Sequence, residues 1–197
     1  MVVIKLLDLR NTLFVNTIKK CIYKLLKVCY NIIVAMKGEM KMIYIAYGSN
    51  MDIYRMLNRC PNAELVGKGI LNNWRLMFKT SLTGAYATIE RQKGYKVPVL
   101  LWDIDEIDEH SLDRYEGCPR YYYKKRIRLS DTTAFVPGEK ISKVGIVYIM
   151  HEDHIFNLPT MQYYKLIYNA YQQFGFNISI LQDGVQYSAD QVNRRLA

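Results

Sequence analysis

Cysteine is scarce in this sequence, with four in 197 residues, and none of Cys21, Cys29, Cys60 and Cys118 belongs to a Cys-x-x-Cys pair. No signal peptide with a small-residue cleavage site opens the chain, so a disulfide framework is not expected and a reducing, cytoplasmic compartment is. No run of about 18 apolar residues escapes lysine, which excludes a membrane-spanning helix. The three histidines (His110, His151, His154) show no local Cys–His signature. The group His151-Glu152-Asp153-His154 has no second ligand set elsewhere, so it reads as a solvated loop and no metal is expected. Repeats and low-complexity tracts are also missing. What remains is one globular domain of ordinary size, 50% apolar and 23% charged.

Two things are plentiful. Tyrosine occurs 17 times, and a chain that buries many phenols needs partners for their hydroxyls, which suits a polar pocket. Basic charge is the other, but it is unevenly spread. Residues 1–41 hold eight Lys or Arg against Asp8 and Glu39, or +6 of the total +9, leaving +3 for residues 42–197. A globular part so close to neutral makes no electrostatic case for nucleic acid.

The first 41 residues form their own segment. Leu13, Phe14, Ile18, Ile22, Leu25, Leu26, Ile32 and Ile33 recur at roughly helical spacing among Lys19, Lys20, Lys24 and Lys27, the pattern of a basic amphipathic helix. Such a helix suits an interfacial anchor or a partner-docking element. The reading preferred here is that native translation starts at Met40 or Met42, because Lys37-Gly38-Glu39 can be encoded by a purine-rich ribosome-binding tract.

From Met42 onward, alternation and turn residues predict strands at 43–47, 64–67, 74–80, 85–90, 97–104, 122–129 and 143–150. Asn72-Asn73, Gly84 and Lys93-Gly94 are read as the turns between them. Helices are expected at 51–59, 105–116 and 160–174. The second is opened by Asp105 and closed by Gly117, and the third ends at Gly175. Strands that do not alternate strictly with helices predict an α+β domain over 42–197 with a curled sheet or small barrel.

Three places can carry chemistry. In Tyr47-Gly48-Ser49-Asn50, a strand-to-helix turn offers main-chain N–H groups to an anion, although the same residues also make an ordinary turn and N-cap. Glu116 lies in the last helical turn, where the macrodipole opposes a carboxylate. It shares a face with Leu112, so burial would raise its pKa toward a useful general base, whereas pairing with Lys124 or Arg120 would make it a plain surface residue. In Tyr121 to Arg128, aromatic and basic residues interleave as in single-strand binders. Strand alternation instead gives a solvated face of Tyr122, Lys124, Arg126 and Arg128, with Tyr123 and Ile127 pointing inward.

Tyr47-Gly48-Ser49-Asn50 after the first strand, Gly84-Ala85-Tyr86-Ala87-Thr88-Ile89, Leu112-Asp113-Arg114-Tyr115-Glu116-Gly117, and Tyr148 in Gly145-Ile146-Val147-Tyr148 together resemble the gamma-glutamylcyclotransferases. That group includes the gamma-glutamylamine cyclotransferases and relatives from butirosin biosynthesis. The resemblance runs from about Ile43 to Leu181, with Pro159, Tyr163 and Gly175 at similar spacing. It implies a small mixed β-barrel flanked by helices, with Tyr47, Gly48, Ser49 and Asn50 as substrate-binding loop and Glu116 as base. The tyrosine after the glutamate maps to Tyr122 or Tyr123, and a later one to Tyr148, all as substrate-binding residues. Ala170 departs from the family, which usually has glycine there.

The activity so implied is cyclisation of a small gamma-glutamyl amine or peptide to 5-oxoproline and a free amine, by an enzyme of cyclotransferase, lyase or acyltransferase type. The substrate is the expected partner, with no cofactor, no nucleic acid and no membrane for the core domain, in a monomer or homodimer. A non-catalytic binding module on the same fold is the alternative.

Overall fold

The computed structural model describes residues 42–128, 132–135 and 144–197, the second stretch as backbone only. The basic extension of residues 1–41 lies outside the described residues, as do Leu129 and the start of the strand expected from 143. Elements run β1 (Met42–Ala46), a single 3-10 turn (Ser49–Met51), α1 (Ile53–Arg59), β2 (Glu64–Ser81), β3 (Gly84–Ile104) and α2 (Glu106–Glu116). They continue as β4 (Tyr122–Arg128), β5 (Thr132–Phe135), β6 (Val144–Met150), α3 (Met161–Phe174) and α4 (Ile178–Leu196).

The strands form one six-stranded mixed sheet in the order β4-β6-β1-β3-β2-β5, curled and flanked by helices. An α+β fold with a curled sheet or small barrel was expected; among the described residues it is the curled sheet, with β4 and β5 at its two edges. β1 sits inside the sheet, antiparallel to β3 and parallel to β6. All its residues after Met42 are buried, which is why it reads as an unbroken apolar run. The close approach of β6 needs the bare backbone of Gly145, where a Cβ would come within 2.9 Å of the Ile45 side chain.

The four strand runs expected between 64 and 104 are two long strands in one hairpin. Asn72-Asn73 and Lys93-Gly94 do not turn the chain; they face each other across the ladder as an irregularity, where Asn72 pairs with Lys96 and Trp74 with Arg91. Asn73 takes φ 61° and Gly94 φ 88°, and the Gly94 N–H donates to Asn73 Oδ1 at 3.1 Å. Turn-forming residues thus serve as a paired bulge that bends the hairpin.

α2 is fixed at both ends by its sequence. The Asp105 side chain accepts from the Asp108 N–H at 2.8 Å, and Gly117 closes the helix in the left-handed region at φ 62°. A Cβ on Gly117 would stand 2.7 Å from the Tyr121 ring, so glycine is required there twice over. The helix therefore ends at Glu116, which leaves that carboxylate in its last turn.

α4 extends beyond the last helix expected from sequence. Asn177 caps it, and Gly184 lies so close to β2 that a Cβ would sit 3.0 Å from the Leu76 carbonyl oxygen. Ser188 Oγ accepts the Phe78 N–H at 2.9 Å and donates to the Gly184 carbonyl at 2.9 Å. A helix hydroxyl thereby satisfies an amide on the side of β2 away from β3.

Candidate functional site

The end of β1, the following turn and the last turn of α2 converge. Tyr47 is buried and donates its hydroxyl proton to the Tyr148 carbonyl at 2.6 Å, which ties the start of the turn to β6. The turn closes through Met51 N–H to Gly48 O at 3.0 Å and Asp52 N–H to Ser49 O at 3.2 Å. Asp52 then caps α1 by accepting the Arg55 N–H at 2.9 Å. Gly48 is half-buried, and a Cβ there would meet the Tyr163 hydroxyl at 3.3 Å and Ala87 Cβ at 3.5 Å. The missing side chain is what lets Tyr163 and Ala87 close on this backbone.

Asn50, at 2% exposure, is the hub. Its Nδ2 donates to Glu116 Oε1 at 3.1 Å and to the Tyr44 hydroxyl at 2.7 Å, while its Oδ1 accepts from Arg59 Nη1. Ser49 is buried beside it, with Oγ 3.4 Å from the Tyr115 hydroxyl and 3.5 Å from Arg59 Nη1. The Arg59 guanidinium lies 3.5 Å above the Tyr115 ring centroid.

Glu116 is half-buried as a residue, with its carboxyl group sheltered by the surrounding protein. Its carboxyl is pushed up to about 7 because surrounding protein penalises the charged form, while the positive charge of Arg59 and the hydrogen bond from Asn50 pull the other way. Glu116 is therefore part ionised at neutral pH. Tyr44, Tyr47, Tyr122 and Tyr163 are all driven upward, first by burial and then by neighbours that include the Glu116 carboxylate. Neutral phenols thus surround one titrating carboxylate.

The two tyrosines left open by the sequence separate cleanly. Tyr122 is buried and donates to the Ala87 carbonyl at 3.0 Å, the same residue whose N–H donates to the Tyr163 hydroxyl at 3.3 Å. Tyr123, expected to point inward, is half-buried and donates to Glu152 Oε1 at 2.7 Å, with its ring 5.3 Å from that of His151. Ile127 is buried as expected, and the face read as solvated is exposed at Lys124, Arg126 and Arg128, with Lys124 Nζ reaching Glu109 Oε1 at 2.6 Å and Asp113 Oδ2 at 3.0 Å on α2. Tyr122 shares that face, whereas Tyr123 shares the face that opens on the 151–154 loop.

Tyr148 is placed differently from an open ligand-binding phenol. Its hydroxyl donates to Asp113 Oδ1 at 2.7 Å, and its ring meets Tyr44 edge-on at 5.8 Å, so it braces α2 against the sheet. Residues that sequence reasoning did not single out for the site are Tyr44, Arg59, Tyr115 and Tyr163. Tyr44 is an apolar-looking member of a strand run, and Arg59 in a last helical turn looks like an ordinary dipole partner. The only signal available for Arg59 was its place at the end of the helix that begins after the turn.

His151 Nε2 bonds the Pro119 carbonyl at 2.7 Å and His154 Nδ1 the Thr80 carbonyl at 2.7 Å, so both rings fasten loops. Among the described residues no group of three His, Cys, Asp or Glu is arranged to hold a metal ion, and no helix is long and apolar enough to cross a membrane.

Residues 44–166, more than half of the chain, match the family described as gamma-glutamyl cyclotransferase, AIG2-like. A Homo sapiens protein named gamma-glutamylcyclotransferase is 29% identical over 136 residues, which covers 66% of this chain and 69% of that protein. A Bos taurus protein of the same name is 31% identical over 107 residues, 51% of this chain and 55% of that protein. A solved structure titled gamma-glutamyl cyclotransferase superposes with a TM-score of 0.61 at 25% identity, covering 73% of this chain and 85% of that one.

Proposed function

Because the chain belongs to the gamma-glutamyl cyclotransferase, AIG2-like family, we propose that it converts a small gamma-glutamyl amine or peptide to 5-oxoproline and a free amine, with Glu116 as general base. The observation that carries this reading is the contact between Asn50 Nδ2 and Glu116 Oε1 at 3.1 Å, which joins a carboxyl pushed up to about 7 to the turn that follows β1.

The substrate's α-ammonium is unreactive until it loses a proton, and a base with pKa about 7 can take that proton and later return it. The freed amine nitrogen then attacks its own γ-carbonyl carbon. The new C–N bond closes a five-membered ring, the γ C–N bond to the leaving amine breaks as the proton held by Glu116 passes to the departing nitrogen, and the ring nitrogen's second proton then passes through the freed Glu116 carboxylate to the released amine, which departs as an ammonium. Ring closure is intramolecular, so the protein's main task is to hold the substrate folded back on itself. Main-chain N–H groups of residues 47–50 serve the substrate carboxylate or the developing oxyanion, where one donor is typically worth about 3–4 kcal/mol. Tyr47, Ser49, Asn50 and Tyr122 shape and desolvate this space, with Tyr163 as an added wall; Tyr123 and Tyr148 support it from behind.

The test is incubation with gamma-glutamyl amino acids, gamma-glutamylamines and gamma-glutamyl-ε-lysine, with 5-oxoproline measured. At least one substrate is expected to turn over, and Glu116→Gln to abolish turnover with an unchanged circular dichroism spectrum. Silence across the whole panel would instead favour a non-catalytic binding module.

A further inference from the structure

An Asn side-chain amide is nearly symmetric in shape but not in charge: turned by half a revolution, it presents oxygen where it presented nitrogen. For Asn50 the choice matters, because one end faces Glu116 Oε1 at 3.1 Å and the Tyr44 hydroxyl at 2.7 Å. Oxygen in that place would repel the ionised carboxylate and leave it without a donor. The other end faces Arg59 Nη1, and a guanidinium can only donate. Arg59 is itself held, by stacking at 3.5 Å over the Tyr115 ring and by its contact at 3.5 Å with Ser49 Oγ. Tyr115 is the residue immediately before Glu116, so the platform under the guanidinium and the carboxylate belong to the same helical turn.

We infer that Arg59 is a positioning residue for Glu116: it locks the Asn50 amide in the orientation that aims Nδ2 at the carboxylate and so fixes how the base is presented to the substrate amine. This rests on the reading of Glu116 as base. The groups that face the carboxylate are the phenols of Tyr44 from β1, Tyr47 from the turn, Tyr122 from β4 and Tyr163 from α3, with Arg59 arriving from α1. Burial keeps those phenols neutral through the working pH, so the carboxylate feels the loss of Arg59 as the loss of a charge and of an oriented dipole together. The planar, stacked character of arginine is what the site uses; lysine supplies the charge without the plane.

The experiment uses the full chain with glutamate carboxyl carbons labelled with carbon-13, the Glu116 resonance being assigned by its loss in Glu116→Gln. The titration midpoint of Glu116 is expected to shift upward in Arg59→Gln relative to the native protein and to return toward the native value in Arg59→Lys. Arg59→Lys is also expected to lower kcat by about tenfold or more with little change in KM, as misplacement of a reacting group does. An unchanged midpoint in folded Arg59→Gln overturns the inference. If Arg59→Gln does not fold, Arg59→Lys decides, and native kcat in that variant overturns it. A native protein that cyclises no gamma-glutamyl substrate would refute the proposed activity instead, and the titration would still decide the role of Arg59 independently.

Discussion

Asn50 and Glu116 are 66 positions apart in the chain and share a hydrogen bond of 3.1 Å. One comes from the turn after β1, the other from the C-terminal turn of α2. Neither environment alone makes a base: the turn lacks a titrating group, and an exposed helix-end glutamate would ionise in the ordinary carboxylate range. Joined, they give a carboxyl pushed up to about 7 by burial with a neutral donor already aimed at it.

The pH profile follows directly. If the ionised form of Glu116 accepts the proton, kcat/KM is expected to rise with pH through about 7 and level above it. Below that midpoint it should fall about tenfold per pH unit as the carboxyl fills with a proton. Initial rates between pH 5 and 9 check this, and a flat profile across that range would remove Glu116 from the base role.

The same shift has an opposite consequence for stability. The folded-state value of Glu116 lies above the value of 4.5 expected without the fold, so the folded protein binds the proton more tightly than the unfolded chain. That contribution is fully present below about pH 4.5 and is lost as pH rises through about 7. Glu116→Gln is therefore expected to stabilise the protein at pH 8, on the order of 2 kcal/mol once partial solvent access is discounted, and to change little at pH 4. Urea titrations of both proteins at the two pH values measure it; equal stability at pH 8 would argue that the carboxylate is not strained by its surroundings.

Much of this arrangement was legible before the structure. Asp105 and Gly117 mark the ends of α2 by local chemistry, and Gly48 marks a close backbone approach, so the two halves of the site could be located separately. Their meeting could not be derived from local pattern, and it was the resemblance of the combined motifs that implied it. Other features were hidden because one residue type serves two purposes. Gly184 was not singled out in the sequence, yet it lets α4 press on β2 so closely that a Cβ there would stand 3.0 Å from the Leu76 carbonyl oxygen. Lys93-Gly94 reads as a hairpin tip, yet it is a bulge within β3. On β4, alternation placed Ile127 inward and Lys124, Arg126 and Arg128 outward as found, but at the start of the strand it assigned Tyr123 inward where Tyr122 is the buried phenol.

The two β4 tyrosines should therefore behave differently. Tyr122→Phe removes the donor to the Ala87 carbonyl beside the turn and is expected to lower kcat/KM about tenfold, with a stability loss of about 1 kcal/mol. Tyr123→Phe breaks only the half-exposed contact with Glu152 and should leave kcat/KM within about twofold of native. Steady-state kinetics on the two variants side by side decides; a larger loss in Tyr123→Phe would reverse the assignment.

Gly48 and Tyr163 form a second coupled pair. The Gly48→Ala methyl would lie 3.3 Å from the Tyr163 hydroxyl oxygen, closer than most carbon contacts tolerate. The substitution is expected to cost about 1–3 kcal/mol by crowding. Deleting that oxygen in Tyr163→Phe should relieve part of the loss, so the double variant is expected to be more stable than the sum of the single effects predicts. Chemical denaturation of the four proteins closes the cycle, and strict additivity would mean that the two residues do not press on one another.

The remaining prediction concerns α4, which braces the strand behind the site. Gly184→Val places side-chain atoms where a Cβ already stands 3.0 Å from the Leu76 carbonyl oxygen, a backbone atom in a paired strand that cannot give way cheaply. A loss of about 2–3 kcal/mol is expected from overpacking. Ser188→Ala acts through a different mechanism, because it leaves the buried Phe78 N–H without its acceptor at 2.9 Å and should cost about 1–3 kcal/mol. Ser188→Thr keeps the hydroxyl, so it separates loss of the hydrogen bond from loss of packing. If Ser188→Ala falls within about 0.5 kcal/mol of native in urea titrations, α4 does not serve as the hydrogen-bonding cover of β2. A loss in both Gly184→Val and Ser188→Ala, with Ser188→Thr closer to native, would establish that α4 completes the edge of β2 at Phe78 together with residues 155–157, which bridge it at Lys79.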